Sequence, residues 1–324
     1  MNHAPSPRTL ARRRLLLRGM SMALACASAA RPATLLAAPR APRRVVVLNW
    51  ELTETLLALG RAPVGIPLPD WYTATIVAPP LPGHVVDVGL LYQPNFDVLL
   101  DLAPDLLIVT PAHAGLLAPL RRIAPTLTLG AYMNAAQPFD ALRGETLTMA
   151  RTLGSEDAQA RANALIAGAD FEIGAVRARL RGAPRRTVIV ADAIDERHLR
   201  VYARGSLFDD VLARIGVENA ANPAGDVPGA RRWTANAMGS AVVPLQRLTE
   251  VAHADILLVG PLQTQTRAAL AASPLWRALP AVRERRVGVL PVIAPYGGLV
   301  SMQRFAVAVA AALGVSANGG GGLG

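Results

Sequence analysis

Apolar residues recur along this chain with two periods, and the alternation between them sketches an α/β protein. Val45-Val46-Val47-Leu48 is an uninterrupted apolar run behind Arg43-Arg44, the pattern of a buried strand. Between Glu51 and Gly60, Leu52, Leu56, Leu57 and Leu59 recur at helical spacing, and Gly60 supplies a stop. Pro63, Pro67, Pro69, Pro79, Pro80 and Pro82 then predict a long, mostly loop-like stretch. Residues 96–102 read as a helix and Leu106-Leu107-Ile108-Val109 as a second buried strand. The same order returns later: Arg185-Arg186 before a strand at 187–191, a helix at 207–215 stopped by Gly216, a helix ending at 248–251, and a strand at 255–259. Residues 103–109 and 252–259 share one theme, Ala, Asp and then a run of aliphatics, which favours two lobes of the same α/β design.

One long helix is predicted between the two halves. Ser155 is a good N-cap, with Glu156 and Asp157 in the first turn. Leu165, Ala169, Ile173, Val176 and Leu180 mark its apolar face; Arg177, Arg179 and Arg181 suit its C-terminal end, and Gly182 and Pro184 stop it. At 1.5 Å per residue it is roughly 39 Å long, enough for a stiff connector along both lobes. This gives a leader at 1–38, an N-terminal lobe at 44–150, a connecting helix at 155–181, a C-terminal lobe at 185–314 and a Gly-rich tail at 315–324.

A formal charge of +10 invites a nucleic-acid reading, and its distribution removes it. Nine of the 33 basic residues, all arginine, lie in the first 44 positions, which hold no acid; the remainder carries 24 bases against 23 acids. Arg12-Arg13-Arg14-Leu15-Leu16, followed by an Ala/Leu-rich run to Ala30, reads as a twin-arginine export signal, and that run is too short for a permanent membrane span. Cys26, the only cysteine, lies in this leader; a leucine one place off the usual lipobox position argues against a lipid anchor there. The mature chain then has no disulfide, zinc-thiolate site or cysteine nucleophile.

Enzyme signatures are absent from the sequence. There is no lysine for a phosphate loop, no Gly-x-Gly-x-x-Gly after a strand and no Gly-x-Ser-x-Gly elbow, and His84, His113, His198 and His253 are widely separated.

Several stretches, in order between about 44 and 313, resemble one family: the periplasmic ferric-hydroxamate (ferrichrome-type) binding proteins, within a wider cluster that binds vitamin B12, haem and metals. They are Arg44 to Trp50 with Glu54 to Gly60, Pro79 to Pro82, Val86 to Leu90, Gln93-Pro94-Asn95, Arg122 to Pro125, Asp195 to His198, Ser206-Leu207-Phe208, Ser273 to Pro280, and Pro291 through Tyr296-Gly297. The resemblance implies two Rossmann-like α/β lobes joined by one long helix, a shallow cleft between them, and a monomeric carrier that hands a ferric siderophore to an inner-membrane ABC permease. No cofactor is implied beyond the iron inside the ligand.

Such a chelate presents an organic shell, so the cleft needs aromatic and apolar walls with a few donors. The family's arginine donor falls at Leu91, its tyrosine at His113, and two tryptophans at Met238 and Ala294, while Tyr296 keeps a tyrosine. The expected ligand-binding set is Trp71, Tyr72, Leu91, Tyr92, His113, Arg231, Trp233, Met238 and Tyr296, with Trp50 and Trp276 structural. Asp97 and Glu250 are the candidates for docking on the permease. A haem, cobalamin or metal-ion binder of the same fold is the alternative, a metal requiring His113 to converge with His84, His198 or carboxylates. An exported cofactor enzyme is the alternative from another class.

Overall fold

A computed structural model describes residues 41–222 and 232–314. The twin-arginine leader with Cys26, the segment holding Arg231, and the Gly-rich tail lie outside the described residues.

The N-terminal lobe opens with β1 (Val45–Val47), every residue buried, and α1 (Trp50–Ala58), whose cap Asn49 accepts a 2.8 Å hydrogen bond from the Leu52 amide. The proline-rich stretch is more ordered than a loop. It carries β2 (Gly65–Ile66), α2 (Pro69–Thr75), β3 (Val86–Asp87) and a hairpin of β4 (Gly89–Leu90) and β5 (Gln93–Pro94). Pro69 starts α2, where a missing N–H costs nothing, and strands of two residues are too short to show a period. Next come α3 (Phe96–Leu102), capped by Asn95, then β6 (Leu106–Val109), a 3-10 turn at Pro111–Leu116, α4 (Leu117–Ile123) and β7 (Thr126–Thr128). Five parallel strands line up as β3-β2-β1-β6-β7.

Two helices leave this lobe, α5 (Pro138–Leu153) and α6 (Glu156–Leu180). Ser155 caps α6 as expected, its Oγ accepting from the Ala158 amide at 3.1 Å. The C-terminal lobe holds β8 (Thr187–Ala193), β9 (His198–Tyr202), α7 (Leu207–Ile215), β10 (Glu218–Asn219), β11 (Ser240–Pro244) and a 3-10 segment at Leu245–Val251, in place of the expected helix end. It continues through β12 (Asp255–Gly260), α8 (Thr264–Ala272), α9 (Pro274–Ala278), α10 (Pro280–Arg283), β13 (Val287–Val292) and α11 (Leu299–Ala312). Its sheet is mixed, ordered β11-β9-β8-β12-β13, with β10 beside the start of β8. The theme seen twice in the sequence has one structural meaning: β6 is the parallel neighbour of β1, as β12 is of β8.

The long helix does not join the lobes unaided. The C-terminal α11 packs on α6, α7 and α1. One continuous core runs from Val45, Leu52 and Phe139 through Ala169 and Ile173 to Val190, Phe208 and Phe305, while the outer face of each sheet has its own cluster. Polar bonds cross the same junction. Ser301 of α11 donates its amide (2.8 Å) and hydroxyl (2.6 Å) to the buried Glu54 carboxyl, and the Phe139 amide donates to Asp210 at 3.0 Å. Arg304 reaches both the Ile76 carbonyl (3.1 Å) and the Val292 carbonyl (2.8 Å). Gly297 and Gly298 permit the approach of Glu54: a Cβ on either would lie 2.9 Å from its carboxylate.

Candidate ligand cleft

Open α/β sheets bind ligands beyond the carboxyl ends of their strands, and here the carboxyl ends of β1, β8, β12 and β13 meet around one cavity of about 380 Å³. The N-terminal lobe contributes Trp50 and Glu51 from the first turn of α1, and Thr75 and Ile76 from the end of α2. The C-terminal lobe contributes Asp192 to Ile194 at the end of β8, Val259 to Gln263 with Thr266 at the end of β12 and beyond it, and Val292 to Tyr296 at the end of β13 and beyond it.

The Trp50 indole is fixed by a 2.7 Å bond from Nε1 to the Pro67 carbonyl and lies parallel to Trp71, centroids 6.3 Å apart. Trp71 is 60% exposed on the outer side of that stack. Opposite, Tyr296 is held edge-on to Tyr202, donates to Ser240 Oγ at 3.3 Å, and accepts from Tyr132 Oη on its backbone carbonyl. Burial pushes its phenol above the ordinary range, so it stays an O–H donor at neutral pH. Asp192 is also raised by burial, against the hydrogen bond from Tyr202 and the Arg200 guanidinium 3.6 Å away. Glu51 is raised by burial, against hydrogen bonds from its own amide and from Asn49. These walls are aromatic and aliphatic, with hydroxyls, one side-chain amide and the Glu51 and Asp192 carboxyls between them, which suits gripping an organic shell.

The profile of the family described as periplasmic binding protein matches residues 45–294. The chain belongs to the periplasmic binding protein family. It is similar to the iron(3+)-hydroxamate-binding protein FhuD of Escherichia coli (strain K12), with 30% identity over 264 residues, 82% of this chain and 84% of that one. An achromobactin-binding periplasmic protein of Dickeya dadantii (strain 3937) is 28% identical over 294 residues, 87% of this chain and 88% of the other. Among solved structures, the siderophore-binding protein FhuD of Vibrio cholerae, bound to Fe3+-Desferal, matches with a TM-score of 0.75 and 28% identity, covering 85% of this chain and 99% of that one.

Within this periplasmic binding protein the residues expected at the site divide. Tyr296 lines the cavity, as does Ala294, while Trp71 lies outside its lining and stacks on Trp50, which belongs to it. Trp50 has the structural role expected of it, held by the Pro67 bond and packed against the core, and it also lines the cavity. Tyr72 is a core residue: it is fully buried and its hydroxyl donates to the Pro79 carbonyl at 2.8 Å. Trp233 is likewise interior, packed in the outer cluster of the C-terminal lobe with Nε1 donating to Glu250 at 3.1 Å.

His113 is a buried brace. Its Nδ1 takes the Thr110 amide and faces the Thr110 hydroxyl at 2.9 Å, and its Nε2 meets the Leu91 carbonyl at 2.7 Å. Both ring nitrogens are thus used within the chain, so His113 offers nothing to a chelate oxygen or a metal. Among the described residues no group of three His, Cys, Asp or Glu could hold a metal ion. Leu91 is half-buried, Tyr92 is exposed and tilted over His113 at 5.7 Å, and half-buried Met238 lies two residues before Ser240, the partner of Tyr296.

Asp97 is exposed in the first turn of α3, while Glu250 is already bound by Arg247 at 2.6 Å and held below the usual carboxylate range by it. Sequence reasoning missed Glu51, Asp192, Ile76 and Gln263. The signal was available: each follows or ends an element at the carboxyl edge of a sheet.

Proposed function

We propose that this chain is a non-catalytic periplasmic carrier that captures a ferric siderophore of the hydroxamate type and delivers it to an ABC importer. The observation that carries the reading is the largely apolar cavity, with hydroxyls and two carboxyls in its wall, between the carboxyl edges of two sheets, in a chain similar over most of its length to an iron(3+)-hydroxamate-binding protein and to a siderophore-binding protein bound to Fe3+-Desferal. With leucine at position 91 and the His113 ring tied down, and with the Tyr296 and Thr75 hydroxyls donating to Ser240 and to the Trp71 carbonyl, the donors for chelate oxygens are Thr266 and Gln263. The proposal includes export by the twin-arginine route, action as a monomer, lobes bounded near 44–150 and 185–314, and docking through Asp97 and the Glu250 face. No helix among the described residues is long and apolar enough to cross a membrane.

Trp50 and Trp71 make the test direct. A ferric trihydroxamate in the cleft quenches their fluorescence, saturating at or below micromolar concentration. No quenching and no thermal shift across ferric hydroxamates, catecholates and citrate rejects the ligand class.

A further inference from the structure

We propose that Glu51 makes the cleft selective for ferric chelates bearing a positively charged amine, an inference that rests on the reading of this cavity as the siderophore site. Among the described residues the cavity is lined by two charged side chains, Glu51 and Asp192, and by no arginine or histidine. The two carboxylates differ in their partners. Asp192 has the Tyr202 hydroxyl and the Arg200 guanidinium at 3.6 Å. Glu51 has its own amide and the Asn49 side chain, both neutral donors, and forms no ion pair with a described residue.

The α1 N-terminus offsets at most about half an elementary charge, so an ionised Glu51 has no full counter-charge among the residues lining the cavity. A desolvated carboxylate without a counter-charge lies above its ordinary range, as Glu51 does. A cation from the ligand would supply what the fold omits. The indole of Trp50, on the preceding residue and lining the same cavity, adds an aromatic face for an ammonium group. Anionic chelates such as ferric citrate meet the same carboxylate as repulsion.

The test compares two chelates that differ in one charge. Ferric Desferal is a linear trihydroxamate ending in a primary amine, and its N-acetyl derivative keeps the iron shell and loses the ammonium. Each is titrated by tryptophan fluorescence at pH 7.5 and low salt into the mature protein and into Glu51→Gln, after equal melting temperatures verify that the variant folds. The wild type is expected to bind the amine form about tenfold more tightly, the increment of a partly desolvated ion pair. Glu51→Gln is expected to bring the two within twofold by weakening the amine form alone. Equal binding of both chelates by the wild type overturns the inference even if the variant cannot be made, as does a preference that survives Glu51→Gln. Binding of neither chelate overturns the hydroxamate reading itself, and this inference with it.

Discussion

Two glutamates one turn apart on α1 face opposite fates at the junction of the lobes. Glu54 points to the closed back of the junction, fully buried, where Ser301 seals it with two hydrogen bonds and Gly297 and Gly298 make room. Glu51 lines the cavity beside Trp50, with neutral donors alone. The same side chain acts as a staple in one place and as an unmatched charge in the other. What decides between them is whether the fold supplies partners across the junction. A carrier needs both kinds of place: a back that keeps the two halves in register, and a mouth left unsatisfied so that a ligand can complete it.

The comparison breaks first at the back. In Gly297→Ala the new methyl would start 2.5 Å from both Cβ and Oγ of Ser301, forcing that side chain off Glu54. Overpacking plus a broken buried bond should lower unfolding stability by about 3 kcal/mol in a urea titration. Glu51→Gln at the mouth should change it by less than about 0.5 kcal/mol. Equal losses at the two sites would abolish the distinction.

Titration sharpens it next. Burial raises the Glu54 carboxyl to about 7, against the Ser301 and Gly298 hydrogen bonds that lower it. A folded value above the unfolded one, near 4.5, means that the fold favours the protonated acid. The stabilisation is complete below pH 4.5 and lost as pH rises through 7, about 3 kcal/mol in all. Glu51, Glu145, Asp192 and Asp209 are raised as well and slope the same way, so the difference between wild type and Glu54→Gln isolates the staple. Parallel stability curves for the two proteins from pH 5 to pH 8 would contradict it.

The back was far easier to read from sequence than the mouth. Helices α3 and α7 and strand β6 fall on their expected residues, because Asn95 and Ser206 cap the helices, Ala103 and Gly216 end them in the left-handed conformation, and β6 is uniformly aliphatic. At the mouth, side chains with an apolar body and a polar tip looked alike. Tyr72, His113 and Trp233 became interior because their tips found Pro79, Leu91 and Glu250, partners that no local pattern reveals. Tyr296 reached the cleft, and Trp71 the surface beside Trp50, with the same composition around them. Glu51 escaped notice because an acid in the first turn of a helix already has a sufficient explanation in the macrodipole.

Adjacent residues on α2 turn that lesson into a paired test. Trp71 is exposed beside the cavity and Tyr72 is wholly inside. Trp71→Ala should weaken chelate binding about fivefold, roughly 1 kcal/mol of lost aromatic contact, and leave the melting temperature unchanged. Tyr72→Phe should do the reverse, removing about 1 kcal/mol of stability with the Pro79 bond and leaving binding intact. A crossed result would place Tyr72 back at the site.

The smallest effect asks whether the mouth stores strain. Leu68 (φ 45) precedes α2 and Val77 (φ 69) follows it, two of the four non-glycine residues with positive φ in the described chain. A β-branched residue there costs about 1–2 kcal/mol, and Val77 is exposed, so packing does not repay it. Glycine removes that strain but adds freedom to the unfolded chain, which returns roughly 0.5–1 kcal/mol. Val77→Gly should therefore raise stability by about 0.5 kcal/mol. If the strained ends hold Trp71 over Trp50, the same change should weaken chelate binding about twofold. Stability that rises with binding untouched would mean that the Trp50–Trp71 stack and the Pro67 bond position the mouth without help from the backbone at its edge.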